Sequence, residues 1–281
     1  MKQGGGVRRI LEKVWDVLYP TVAIVLCMLI VTVVGIMAAG QITGRPGLDS
    51  RELLAEVRSL PLWINVGFYS LTLISQRKRY ALDVLRFQPE KRRWKAGKLL
   101  AACLLAAALG HLLSTGIAAS GFSEIFSGYT DQAAAAFEGQ NLLLLTAATV
   151  ILAPLAEEMI FRGMTYRRAR SYLGPAGGAL ISAALFGVYH GNMVQFLYAF
   201  VMGLLFAAFC EKSGSILPAV LGHGAANLWA IGSTPVMERL FQAIPQAVLW
   251  VSAAEAVVGV VCAWLLFRGK KKTGEGGKTD G

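Results

Sequence analysis

Residues 154–162 read Pro-Leu-Ala-Glu-Glu-Met-Ile-Phe-Arg and end a strongly apolar run that begins near Leu142. A charged side chain at membrane depth costs about 3 kcal/mol or more unless it is paired. Glu158 and Arg162 are four residues apart with the acid first, which is the favourable order on one helical face. Glu157 is rotated by about 100° from Glu158. One glutamate therefore has a partner in its own helix, and the other needs a partner from elsewhere in the chain.

The composition is that of a membrane protein. The chain has 281 residues, of which 55% are hydrophobic and 16% are charged, whereas a soluble domain is about 25% charged. Several apolar runs approach the roughly 20 residues that cross a bilayer as a helix. We therefore predict an all-α, polytopic helical bundle, a multi-pass protein of the cell membrane. The formal net charge of +10 comes from basic residues beside apolar runs, which favours contact with lipid headgroups over nucleic acid.

The apolar runs predict about eight spans, with both termini on the cytoplasmic side. Residues 76–98 are dense in Lys and Arg, the pattern of a cytoplasmic loop, and residues 121–140 contain acids but no Lys or Arg. The predicted spans are 17–39, 61–75, 99–119, 142–161, two within 177–210 that are separated at His190-Gly191-Asn192, 216–231, and 244–267.

The same runs divide the chain into three parts. Residues 1–140 hold the first three spans and the basic loop, residues 141–231 form a core with spans four to seven, and residues 232–281 hold the last span and a disordered basic tail. The four cysteines lie in apolar runs without a CxxC pair, so we predict buried thiols rather than disulfides or a cysteine metal site.

Polar side chains in the core suggest hydrolytic chemistry. A carboxylate beside an imidazole can deprotonate a water, and a second imidazole with a carboxamide can donate hydrogen bonds to an oxyanion. Glu157, His190, His223 and Asn227 supply these groups. A histidine bonded to a neighbouring carbonyl is the structural alternative. Glu157, His190 and His223 could instead ligate zinc, although the chain has no HExxH motif.

The sequence supports weaker assignments for three further residues. Pro154 has no N–H and should leave the Val150 carbonyl without its α-helical donor. Glu255 lies in the last predicted span, where it could be protonated, pair with an arginine or line a cavity. His111 belongs to no motif, and we assign it no catalytic role.

Three short motifs occur in order along the core. They are EExxxR, FxxxH and HxxxN, formed by Glu157-Glu158 with Arg162, Phe186 with His190, and His223 with Asn227. With these motifs the chain resembles the CPBP, or Abi, family of intramembrane proteases, which includes the type II CAAX prenyl endopeptidases. The resemblance covers about residues 142–231.

The resemblance implies a helical membrane protease with a cavity open to the cytosol and to lipid. It implies that Glu157 and His190 activate the water and that His223 and Asn227 stabilise the oxyanion. Supporting roles fall to Glu158, Arg162 and Phe186. Descriptions of the family as metalloproteases keep the zinc alternative open, and otherwise no cofactor is expected.

The expected substrate is a membrane-associated peptide or lipidated protein, either a prenylated CAAX-like sequence or a bacteriocin-related peptide. Membrane lipid is the other expected partner. Two alternatives belong to other functional classes. One is a proton-coupled transporter that uses the Glu/His set as a relay, and the other is a non-catalytic immunity or peptide-binding membrane protein.

Overall fold

A computed structural model describes residues 4–44, 49, 52–53, 57, 59–88, 90, 92–122 and 140–268. Most of the predicted acidic loop within 121–140, and the predicted basic tail beyond Arg268, lie outside the described residues. The helices are α1 (Gly4–Ile42), α2 (Leu60–Phe87), α3 (Ala96–Ala119), α4 (Leu142–Thr146), α5 (Ala153–Glu158), α6 (Arg167–Tyr189), α7 (Met193–Ser213), α8 (Leu217–Ala243) and α9 (Ala247–Phe267), with π-helical segments π1 (Ala147–Leu152) and π2 (Met159–Tyr166).

The prediction of an all-α protein is confirmed, since every regular element of the described residues is helical. Five stretches are long and apolar enough to cross a membrane. They are Gly6–Ile42, Ala96–Ala119, Leu142–Tyr189, Met193–Ser213 and Ala247–Phe267. The count of eight spans and the cytoplasmic position of both termini remain predictions.

Two predicted loops are largely helical instead. The basic loop 76–98 begins as the last part of α2, which continues to Phe87, and the loop predicted after residue 231 is the last part of α8, which continues to Ala243. Hydropathy marks the apolar part of a helix but not its end, and Lys and Arg are good helix formers. Both helices therefore run past their apolar stretches.

The long helical stretch from α4 to α6 reverses direction at Gly174. Gly174 has φ 73° and ψ 178°, a conformation that L side chains rarely adopt, and Pro175 begins the next helical arm. The Ser182 hydroxyl donates a hydrogen bond of 2.7 Å to the Phe161 carbonyl. The arm after Gly174 therefore returns alongside π2, and it brings its side chains back to the level of the two glutamates.

The predicted interruption at residues 190–192 is confirmed. Helix α6 ends at Tyr189, and Gly191 has φ 75°. The Asn192 side chain accepts a 2.8 Å hydrogen bond from the Gln195 N–H, which caps the first turn of α7. This turn keeps His190 at the end of α6, near the site.

Candidate functional site

Irregular helix geometry surrounds the two glutamates. They end α5, a short α-helical segment between π1 and π2, and π-helical turns are frequent at functional sites. In π1 the backbone hydrogen bonds to the carbonyl five residues earlier. Because Pro154 has no N–H, this five-residue register leaves the Thr149 carbonyl without a helical donor. The Asn227 amide on α8 donates a 2.8 Å hydrogen bond to this Thr149 carbonyl.

Glu158 and Arg162 form the ion pair that their spacing predicts. Both residues are 0% exposed, and Arg162 Nη1 donates to Glu158 Oε1 over 3.0 Å. His223 Nδ1 lies 3.0 Å from the same oxygen. The guanidinium group lies 4.3 Å from the centre of the Phe186 ring, within the range of a cation–π contact. The Glu158 carboxylate is thus held by a guanidinium and an imidazole, and the Phe186 ring covers the arginine.

Glu157 has different partners, and both come from other helices. Its side chain is buried, and the Tyr69 hydroxyl on α2 donates a 2.8 Å hydrogen bond to Oε1. The second oxygen, Oε2, lies 3.8 Å from His223 Nε2. The expectation that Glu157 needs a partner from elsewhere is therefore confirmed. Tyr69 was not predicted, because no motif includes it and a tyrosine in an apolar helix is usually an interfacial anchor.

His223 connects the two carboxylates through its two ring nitrogens. Since Glu158 can only accept, Nδ1 is the donor of that hydrogen bond, and the ring orientation then directs Nε2 toward Glu157. A separation of 3.8 Å is too long for a direct hydrogen bond. It does allow both atoms to contact the same water molecule. The separation therefore matches a polar atom that contacts both Glu157 Oε2 and His223 Nε2.

His190 and Asn227 have other partners. His190 Nδ1 donates to the Phe186 carbonyl over 2.8 Å. The Phe186 ring centre lies 4.8 Å from the His190 ring and 5.9 Å from the His223 ring, so this phenylalanine contacts both imidazoles. In the part of the chain that the structure describes, no hydrogen bond joins His190 or Asn227 to Glu157. Their predicted roles beside the water and the oxyanion stay predictions.

The zinc alternative can be compared with the side chains present. Among the described residues, no three His, Cys, Asp or Glu side chains are grouped so that they could hold one metal ion. His190 is not joined to Glu157 and His223, which the zinc alternative requires. The expectation of a reaction without a metal stays a prediction.

A second polar pair, which is partly buried, lies away from this site. His111 Nδ1 on α3 is 2.8 Å from Glu255 Oε2 on α9, and each side chain is 12% exposed. The partner of Glu255 is thus a histidine rather than an arginine. The pair gives both residues a structural explanation, because it joins α9 to the bundle through a polar contact.

The segment that contains these site residues also matches a known protein family. Residues 139–229 match the family described as type II CAAX prenyl endopeptidase Rce1-like. This matched segment, about a third of the chain, is similar to that family. The match includes all three motifs, whereas α1, α2, α3 and α9 lie outside it. No curated protein and no solved structure matches the chain. The family is one of proteases, and with its apolar helices the chain is a multi-pass membrane protein.

One hydrogen-bond partner of Glu157 lies outside the segment that matches the family. Tyr69 lies outside residues 139–229, yet it donates the hydrogen bond to Glu157. The hydroxyl of Tyr189, on α6, lies near both of these residues. Helix α2 therefore completes the surroundings of the glutamate that the family's motifs supply.

Proposed function

We propose that this chain is an intramembrane endopeptidase in which Glu157 activates a water molecule for attack on a peptide bond. The observation that carries the proposal is the division of its carboxylate. Tyr69 occupies Oε1 at 2.8 Å, while Oε2 faces His223 Nε2 at 3.8 Å. Tyr69 therefore holds one carboxylate oxygen in place. The other oxygen faces His223, and a water between them would contact both side chains.

The neighbouring glutamate is a poor choice of base. Glu158 is 0% exposed, and its Oε1 accepts hydrogen bonds from both Arg162 and His223. A proton on Glu158 would weaken an ion pair that has no access to solvent. We therefore assign Glu158 and Arg162 to support, since they fix His223 and the helix that carries Glu157.

The proposed reaction needs only residues of this chain and water. Glu157 Oε2 takes a proton from the water while the water oxygen forms a bond to the carbonyl carbon of the substrate. His223 Nε2 lies close enough to contact the water, and with protons on both ring nitrogens it can donate a hydrogen bond to the oxyanion. The C–N bond then breaks, and the proton on Glu157 passes to the leaving nitrogen. We retain His190 and Asn227 as the proposed additional groups for the water and the oxyanion.

The family description supports a prenylated CAAX-like peptide as the first substrate to test, with a bacteriocin-related peptide as the alternative. We also propose eight spans with cytoplasmic termini in the cell membrane. Five apolar stretches are present, the one from Leu142 to Tyr189 reverses at Gly174, and α2 and α8 are long enough to add two more.

The test uses purified protein reconstituted into proteoliposomes. A farnesylated peptide ending in a CAAX sequence, the same peptide without the lipid, and an unrelated transmembrane peptide are incubated in parallel, and the products are identified by mass spectrometry. Cleavage of the farnesylated peptide at one bond is expected. Tight binding of peptides without cleavage would favour the immunity or binding alternative. Proton flux across the vesicle membrane without cleavage would favour the transporter.

A further inference from the structure

The first part of α1 has two chemically different faces. Residues 7–16 lie in a helix of 3.6 residues per turn, which separates their apolar and polar side chains. The apolar residues are between 48% and 62% exposed and are Val7, Ile10, Leu11, Val14 and Trp15. The polar residues on the opposite side are Arg8, Arg9, Glu12, Lys13 and Asp16. Residues 7–16 continue without a break into the apolar run of α1, so this amphipathic part extends from the hydrocarbon core into the layer of lipid headgroups.

The polar face borders a cleft of about 350 Å³. Two other helices complete its wall, since Arg86 comes from the end of α2 and Tyr172 comes from α6. The cleft lies directly before the apolar run that begins near Val17. This position places it at the level of lipid headgroups, where the apolar core of the membrane ends.

The carboxylates of the cleft already have partners. Asp16 accepts a hydrogen bond of 2.8 Å from Tyr172 and also faces Arg168 and Arg86 at 3.4 Å each. Glu12 accepts a 2.9 Å hydrogen bond from Arg8. In the described part of the chain, Arg9 and Lys13 have no carboxylate partner.

The charges around the cleft do not balance. Its walls and their immediate partners contain five cationic side chains and three carboxylates, an excess of two positive charges. The cations are Arg8, Arg9, Lys13, Arg86 and Arg168, and the carboxylates are Glu12, Asp16 and Asp83. Cationic clusters at this depth attract anionic lipids.

We propose that this cleft binds the headgroup of an anionic phospholipid. Its phosphate lies between Arg9, Lys13 and Arg86, while the apolar face of residues 7–16 contacts the upper parts of the acyl chains. Charge complementarity and the exposed apolar face point to the same ligand, because a soluble anion would satisfy the cations but leave the apolar side chains in water. The inference is independent of any peptidase activity.

The test compares lipid binding by purified full-length protein in detergent. Native mass spectrometry gives the apparent Kd for phosphatidylglycerol and for phosphatidylcholine. The double variant Arg9→Gln/Lys13→Gln removes the two lining cations that have no carboxylate partner among the described residues, although Lys13 lies 5.4 Å from the centre of the Tyr172 ring. Arg77→Gln/Lys78→Gln is the matched control, because it removes two exposed cations of α2 that do not line the cleft. Each Lys or Arg near an anionic surface changes affinity by about fivefold.

We expect the cleft variant to bind phosphatidylglycerol about 30-fold more weakly, while the control variant changes little and phosphatidylcholine binds weakly throughout. Equal losses in the two variants, or equal binding of the two lipids, would overturn the proposal. So would competition by inorganic phosphate at the lipid's own concentration, since the ligand would then be free phosphate. A dimer that the cleft variant dissociates would assign the surface to a second copy instead.

Discussion

The same substitution should cost very different amounts of stability at the two adjacent glutamates. Glu158→Gln removes the negative charge beside Arg162, whose side chain is 0% exposed. Breaking a buried ion pair by removing one partner costs about 3–5 kcal/mol, so this variant should be strongly destabilised. Glu157→Gln keeps an oxygen that can accept the hydrogen bond from Tyr69. Its free energy of unfolding should fall by about 1 kcal/mol or less.

The assay is equilibrium unfolding in mixed detergent micelles with increasing dodecyl sulfate. A double-mutant cycle with Arg162→Met gives the control, because the double variant Glu158→Gln/Arg162→Met leaves no unpaired buried charge. We expect it to be more stable than the sum of the single changes predicts. The reasoning is refuted if Glu158→Gln and Glu157→Gln unfold at the same dodecyl sulfate fraction, or if the cycle shows no coupling.

Three further predictions concern contacts around the site and outside it. Tyr69→Phe should lower kcat about tenfold with KM unchanged, as measured by steady-state peptide cleavage. One hydrogen bond to a charged group contributes roughly 1.5 kcal/mol, and this one acts on the base rather than on the substrate. Gly224→Ala places a Cβ 2.8 Å from the Val150 carbonyl oxygen, so α8 must shift, and we expect a loss of about 1–3 kcal/mol in the unfolding assay together with slower cleavage. His111→Leu should destabilise the protein by about 1–3 kcal/mol because it leaves Glu255 unpaired. The double variant His111→Leu/Glu255→Leu should recover stability. Neither change should slow cleavage when equal amounts of folded protein are compared.

The helical class and part of the site follow from short-range rules. Glu158 and Arg162 pair because residues four apart meet on one helical face. Polar residues are costly within apolar segments, and this rule correctly selected Glu157 and His223 as groups that meet. Gly191 and Asn192 mark a helix break that local turn chemistry also predicts.

The remaining contacts depend on how distant segments pack. Tyr69 reaches Glu157 across 88 positions of sequence, and nothing in its neighbourhood distinguishes it from an interfacial tyrosine. A single histidine contacts both glutamates because α8 crosses the irregular helix at their level, which residue spacing does not reveal. Residue spacing also does not reveal the π turn before Pro154, which leaves the Thr149 carbonyl without a helical donor. Hydropathy cannot locate the polar ends of α2 and α8.

The central claim is that Glu157 is the base that activates water. Its most direct test is the rate of peptide cleavage by purified Glu157→Gln in proteoliposomes. The unsubstituted protein is measured beside it at an equal amount of folded protein. A general base contributes about 100-fold to 10,000-fold, so we expect the rate to fall by at least 100-fold while the protein stays folded. Cleavage at the unsubstituted rate by folded Glu157→Gln would contradict the claim.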